Sequence, residues 1–118
     1  MKNKRIELDF GVFVLEAGLF DTAMAQKFAE RLPLTVSLTS WGRELYGSIG
    51  MDLGEEDPVP AIPEGGIAYT RNGHYVCIFF GQTPAWPVEY IGQITGSQWT
   101  RLLENPSVDA VTIRLKAG

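Results

Sequence analysis

The chain has 118 residues, 45% of them apolar, 20% charged and 11% aromatic, with a formal net charge of −4. Those proportions fit one folded domain over 1–118 and exclude a wholly disordered or collagen-like chain. The lone Cys77 and lone His74 exclude a disulfide framework and a Cys- or His-built metal centre, so no metal and no cofactor is expected.

The basic start, Met1-Lys2-Asn3-Lys4-Arg5, gives way to alternating Ile6-Glu7-Leu8-Asp9. A signal peptide would have an unbroken apolar stretch there, so a cytoplasmic location is expected. Residues 4–10 alternate with period two, which predicts a half-buried strand. Gly11 marks a bulge or tight bend before the apolar run resumes at 12–15. Asp21 or Thr22 can cap a helix reaching about Arg31. Met24, Phe28 and Leu32, with Ala25 and Ala29, make its apolar stripe, and Pro33 stops it. Residues 34–40 alternate again and are β-branched, a strand, and 44–47 look like the next.

Residues 50–66 change in composition. Gly54, Pro58, Pro60, Pro63 and Gly65 stand there with Asp52, Glu55, Glu56, Asp57 and Glu64. Proline removes ladder donors, so this is a long loop, either a solvated flexible excursion or a lid over a site. Its acids lack the spacing of a calcium loop. Without those five acids the chain carries nine acids against ten bases, with no Lys/Arg cluster. Neither nucleic acid nor a membrane surface is therefore an expected partner, and no apolar run nears the ~20 residues of a spanning helix. Beyond the loop, 67–71 and 75–80 flank Asn72-Gly73-His74, a strong hairpin signal. A second loop, 81–89, is rich in Pro and aromatics. A strand follows over 90–95. Ser97 can cap a short helix burying Trp99, Leu102 and Leu103 and ending at Asn105-Pro106, and 110–116 is the last strand. Seven or eight strands in succession with two short helices predict a mostly-β fold, a closed antiparallel barrel capped by the helices.

Several strings are similar to cyclophilin segments. Gly66-Ile67-Ala68-Tyr69 and Cys77-Ile78-Phe79-Phe80 resemble the paired strands of that fold, and Tyr90-Ile91-Gly92-Gln93-Ile94-Thr95-Gly96 resembles its Phe-Gly-x-Val-x-x-Gly segment. The closer resemblance is to small prokaryotic cyclophilin-like proteins. It is carried by Leu32-Pro33, Trp41-Gly42-Arg43-Glu44-Leu45-Tyr46, Gly65-Gly66-Ile67-Ala68-Tyr69 and Phe79-Phe80-Gly81-Gln82-Thr83-Pro84. It spans nearly the whole chain and implies a cyclophilin-like barrel. Where cyclophilins have a Phe-His-Arg isomerase string, this chain has Thr39-Ser40-Trp41-Gly42-Arg43-Glu44. The resemblance thus carries the fold and not prolyl isomerisation.

Two clusters are candidates for function. Glu44 stands between Trp41 and Tyr46. It is either an anchor paired with Arg43 or Arg71, or a buried carboxyl with a raised pKa that serves as acid or base. Glu44 and Tyr46 share strand parity, as do Trp41 and Arg43. In the loop after Phe80, Trp86 is either a binding-site aromatic or a plug over one barrel mouth. Trp41, Glu44, Tyr46, Tyr69, Phe80, Thr83 and Trp86 are expected to line a site for a small molecule or short peptide. There Glu44 and Thr83 would orient polar groups. The alternatives are an enzyme using Glu44 as acid/base, or a prolyl isomerase relying on Arg43 or Arg71. Cys77 reads as a small buried hydrophobe and His74 as an exposed turn residue. No serine sits in a nucleophile elbow, and Gly47, Gly50 and Gly54 lack the Lys-Ser/Thr ending of a phosphate loop. The residues do not decide an oligomeric state.

Overall fold

The computed structural model describes residues 4–105 and 107–116. Met1, Lys2 and Asn3, and Pro106 (the expected helix stop), lie outside them. Strands β1 (Lys4–Asp9) and β2 (Val14–Leu19) form an antiparallel hairpin. Its turn closes where the Phe10 N–H donates to the Phe13 carbonyl at 2.9 Å, so Gly11 belongs to a tight bend between two strands. The period-two pattern buries Ile6, Leu8, Leu15, Ala17 and Leu19 in the interior. Glu7 and Asp9 point outward, where Arg114 meets them at 3.0 and 2.9 Å.

Helix α1 (Ala23–Ala29) begins where Thr22 Oγ1 accepts from the Ala25 N–H at 3.2 Å, which satisfies an orphan donor of the first turn. It ends two residues short of Arg31 and lays Met24, Ala25, Phe28 and Ala29 into the core. The segment expected as one strand over 34–40 is two strands, β3 (Leu34–Ser37) and β4 (Thr39–Ser40), parted by Leu38. Next come β5 (Glu44–Ser48), β6 (Gly66–Thr70), β7 (Tyr75–Phe79), β8 (Glu89–Ile94) and β9 (Ala110–Leu115). The sheet order is β3-β9-β1-β2-β8-β6-β7-β5-β4, and the pairings are antiparallel.

The two ends of that order are halves of one chain segment, joined through Leu38. β3 takes β9 as partner and β4 takes β5, so the segment itself draws the sheet into a nearly closed barrel. Closure removes long open edges. At the seam Gly47 of β5 has no room for a side chain: a Cβ there would lie 2.0 Å from the Ser37 carbonyl oxygen.

The β6–β7 hairpin forms as the Asn-Gly signal predicts, but its loop is four residues, 71–74. Gly73 and His74 both adopt positive φ, 90° and 56°. His74 is half-buried rather than exposed, and its carbonyl accepts from the Ile49 N–H at 2.8 Å. The helix expected from Ser97 is a 3-10 turn (Gln98–Thr100) running into a single turn, α2 (Arg101–Glu104). Leu102 and Leu103 lie about 100° apart around the helix, and this single turn faces only Leu102 inward; Leu103 is exposed. No helix among the described residues is long and apolar enough to cross a membrane.

The 50–66 segment is a strap, not a solvated excursion. The Tyr69 hydroxyl accepts from the Leu53 N–H at 2.9 Å and donates to the Met51 carbonyl at 3.1 Å. The buried Glu89 carboxylate accepts from the backbone N–H groups of Glu56 at 2.8 Å and Asp57 at 3.1 Å. Val59 exchanges backbone hydrogen bonds with Val88, and Leu53 and Ile62 are buried. Its acids face outward, two of them paired: Glu56 with Lys27 and Asp52 with Arg71.

Candidate functional site

Strands β5, β6 and β7 carry apolar side chains on both faces. Val76, Ile78 and Phe80 point into the main core with Leu45, Ile67 and Tyr69. The alternate residues of β7, with Ala68, Ile62 and Val88, form a second, smaller cluster on the outside of the barrel. Antiparallel register sets the outward residues in rows, because directly opposed residues share a face. Glu44 pairs with Phe79; Tyr46 and Ala68 flank Cys77; Thr70 pairs with Tyr75.

These rows floor a cavity of about 340 Å³. Its floor and walls include Glu44, Tyr46, Thr70, Tyr75, Cys77 and Phe79, and the second loop contributes Pro84, Ala85, Trp86 and Val88. Trp41 stands at its rim. A tight turn places it there: Trp41 and Glu44 exchange backbone hydrogen bonds of 2.9 and 3.2 Å, with Gly42 and Arg43 between them. The parity expected to separate Trp41 from Glu44 is reversed by that turn, and the two sit opposite each other. Gly42 adopts φ 61°, and a Cβ on it would collide with the Gln82 side chain. That side chain is a tie: Gln82 Oε1 accepts from the Arg43 N–H at 2.8 Å.

Trp41 and Trp86 are 52% and 42% exposed, large fractions for indoles. Trp86 is pinned nonetheless, since its Nε1–H donates to Thr70 Oγ1 at 3.0 Å. It lies on the outer face and plugs no barrel mouth. Thr70 Oγ1 also accepts from the Asn72 N–H at 3.1 Å, so the hairpin loop and the tryptophan share one anchor. Tyr46 and Tyr75 meet edge to face at 5.0 Å.

Glu44 is 7% exposed. Burial pushes its carboxyl pKa up, while hydrogen bonds from Cys77 and Gln82 pull it partly back. The Cys77 thiol is pushed strongly up by its own burial and by the neighbouring Glu44. It is held as a thiol, not as a nucleophile. Neither Arg43 nor Arg71 lines the cavity. Arg43 runs against Gly81, and Arg71 meets Asp52 at 3.1 Å.

Of the residues expected from sequence to form a site, Trp41, Glu44, Tyr46 and Trp86 come together around this cavity. Tyr69 and Phe80 point the other way, into the barrel core, and Thr83 is exposed on the loop outside the lining. Thr70, Tyr75, Cys77, Phe79, Pro84 and Gln82 were not among those expected. Strand parity with Cys77 is the signal that joins Tyr75 and Phe79 to it. A second hollow of about 450 Å³ lies between the start of α1, the strap and β8. Its buried carboxylate, Glu89, is already committed to the strap. Among the described residues no group of three or more His, Cys, Asp or Glu is arranged to hold a metal ion.

A family model described as cyclophilin-like matches residues 4–114. The solution structure of the hypothetical protein AF2241 from Archaeoglobus fulgidus superposes with a TM-score of 0.78 at 23% identity, covering 97% of this chain and 95% of that one. The structure of McbB in complex with tryptophan superposes with a TM-score of 0.76 at 15% identity. There the match covers 96% of this chain and 45% of McbB. Both likenesses concern the fold. No curated protein matches the chain in sequence.

Proposed function

Since the chain belongs to the cyclophilin-like family, with a cavity on the outer face of its barrel, we propose that it binds a small organic molecule between Trp41 and Trp86, oriented by Glu44. One observation carries this: a cavity of about 340 Å³ whose rim holds two exposed tryptophans and whose floor holds a buried carboxyl. Binding sites combine such apolar walls with a few placed polar groups. The Trp86–Thr70 and Gln82–Arg43 ties fix the walls before any ligand arrives, which lowers the ordering cost of binding. McbB, 45% of which superposes on this chain, has been solved in complex with tryptophan, which is in keeping with a small organic ligand here. The volume favours a small molecule over a peptide.

Catalysis is the second reading, favoured by the upward shift of the Glu44 carboxyl. Prolyl isomerisation has less support, because neither candidate arginine lines the cavity.

A thermal-shift screen of metabolites and short peptides, proline peptides included, tests the binding reading. A ligand at a hundredfold over its Kd stabilises by about 2.7 kcal/mol, on the order of 10 °C for a domain of this size. The shift should vanish in Trp41→Ala and Trp86→Ala. A flat screen, or a hit indifferent to both substitutions, overturns the reading. Glu44→Gln separates the two readings: it abolishes turnover in an enzyme and only retunes affinity in a binding domain.

A further inference from the structure

The polar inventory of the cavity narrows its ligand. Its lining holds one carboxyl, Glu44, and no Lys, Arg or His among the described residues. The ion pairs of those residues join Lys27 to Glu56, Arg71 to Asp52, Arg114 to Glu7 and Asp9, and Lys116 to Glu16. Glu44 has no cation among them. The groups that lower its pKa, the Cys77 thiol and the Gln82 amide, are both neutral. A carboxylate buried without a counter-charge is costly.

Five rings line the cavity with it, those of Trp41, Tyr46, Tyr75, Phe79 and Trp86. Aromatic faces carry the negative end of the ring quadrupole and attract cations. The Trp86 N–H, which would serve an anion as a donor, is spent on Thr70. One carboxyl and five rings, with no base, favour positive charge and disfavour negative charge.

Resting on the binding reading above, we propose that the ligand presents an organic cation. It is an ammonium on a small apolar body, with Glu44 as its counter-charge and Trp41 and Trp86 as its walls. The cation supplies what the floor lacks, and the apolar body covers the exposed indoles.

Three probes of similar body and different charge test this: phenethylamine, 2-phenylethanol and phenylacetate, followed by tryptophan fluorescence and calorimetry at pH 7. The amine should bind about tenfold tighter than the alcohol, with phenylacetate weakest. In Glu44→Gln the ratio of amine to alcohol affinity should collapse towards one, whatever the change in absolute affinity, and an unchanged near-UV circular dichroism spectrum shows that the variant is folded. A second arm needs no variant. In the wild type the preference should shrink as the pH falls from 7 towards 4 and Glu44 takes up a proton. The other polar groups near Glu44 are Tyr46 on its own strand, Cys77 on β7 and Gln82 from the loop. Burial and the neighbouring Glu44 push the Cys77 thiol up, away from that window. Equal binding of amine and alcohol overturns the cation inference and leaves the binding reading standing. Tighter binding of phenylacetate, or no binding of any probe, also overturns it, and the broad screen then judges the binding reading separately.

Discussion

Replacing Glu89 with Gln should loosen the strap while leaving the barrel intact. The Glu89 side chain is 5% exposed, and its carboxylate holds the N–H groups of Glu56 at 2.8 Å and Asp57 at 3.1 Å. A hydrogen bond to a charged group contributes roughly 1.5–3 kcal/mol. Gln keeps the shape and one carbonyl acceptor, but it turns an NH₂ group toward one of the two donors. One bond is lost and the other loses its charge assistance, a cost of about 2 kcal/mol. The ion pairs on the strap cannot cover that loss. The side chains of Lys27–Glu56 and Arg71–Asp52 are 39–59% exposed, and such pairs contribute about 0–1 kcal/mol. If the strap opens by itself, the Glu56 and Asp57 amides should lose about 30-fold of their protection against hydrogen exchange, with β1 and β2 unaffected. If it opens only with the whole domain, the loss appears instead as a fall in Tm of about 8 °C. Exchange in high salt, which screens the exposed pairs, should leave the wild-type strap protected. An unchanged Tm together with unchanged protection at Glu56 and Asp57 would refute the assignment of Glu89 as the anchor.

Gly47→Ala should destabilise the barrel at its seam, because the new Cβ would meet the Ser37 carbonyl oxygen at 2.0 Å and Val36 Cγ1 at 2.5 Å. Backbone cannot rotate aside, so the cost lies at the upper end of overpacking, about 3 kcal/mol; a melting temperature equal to wild type would sink the seam geometry. Glu44→Gln should change stability with a definite pH sign. The folded-state pKa of Glu44 is raised above its ordinary value of 4.5, so the buried charge costs nothing in acid and its penalty appears as pH rises through the shifted pKa. Denaturation at several pH values should show the variant gaining on wild type as pH rises above 4.5, and a difference constant with pH contradicts the desolvated carboxyl.

Much of the barrel was readable because its strands and α1 obey simple periods. The β1 alternation, the Thr22 cap and the Asn-Gly hairpin each correspond to one local rule. The split at Leu38 was not readable. Leu34, Val36 and Leu38 keep their period while the chain exchanges one partner strand for another, and a change of partner leaves no mark in a period-two pattern. The cavity was half readable. Glu44, Tyr46 and the two tryptophans stand out by residue type. Tyr69 and Phe80 stand out equally, yet they face the core. On β6 and β7 both faces are apolar, so alternation says which residues share a side and not which side is inside. Trp41 needed the turn at Gly42, whose signature is the contact with Gln82, 40 positions along the chain.

The two-sidedness of β7 has a practical outcome for redesign. Val76 and Ile78 hold the barrel, while Tyr75, Cys77 and Phe79, one residue away in each case, shape the cavity. A library varying 46, 75, 77 and 79 would sample new ligand preferences while leaving the main core sequence untouched. Cys77 and Phe79 are themselves nearly fully buried in the outer cluster, so changes there draw on stability as well, whereas the half-buried Tyr46 and Tyr75 are positions where the cavity can be reshaped at less cost to the fold.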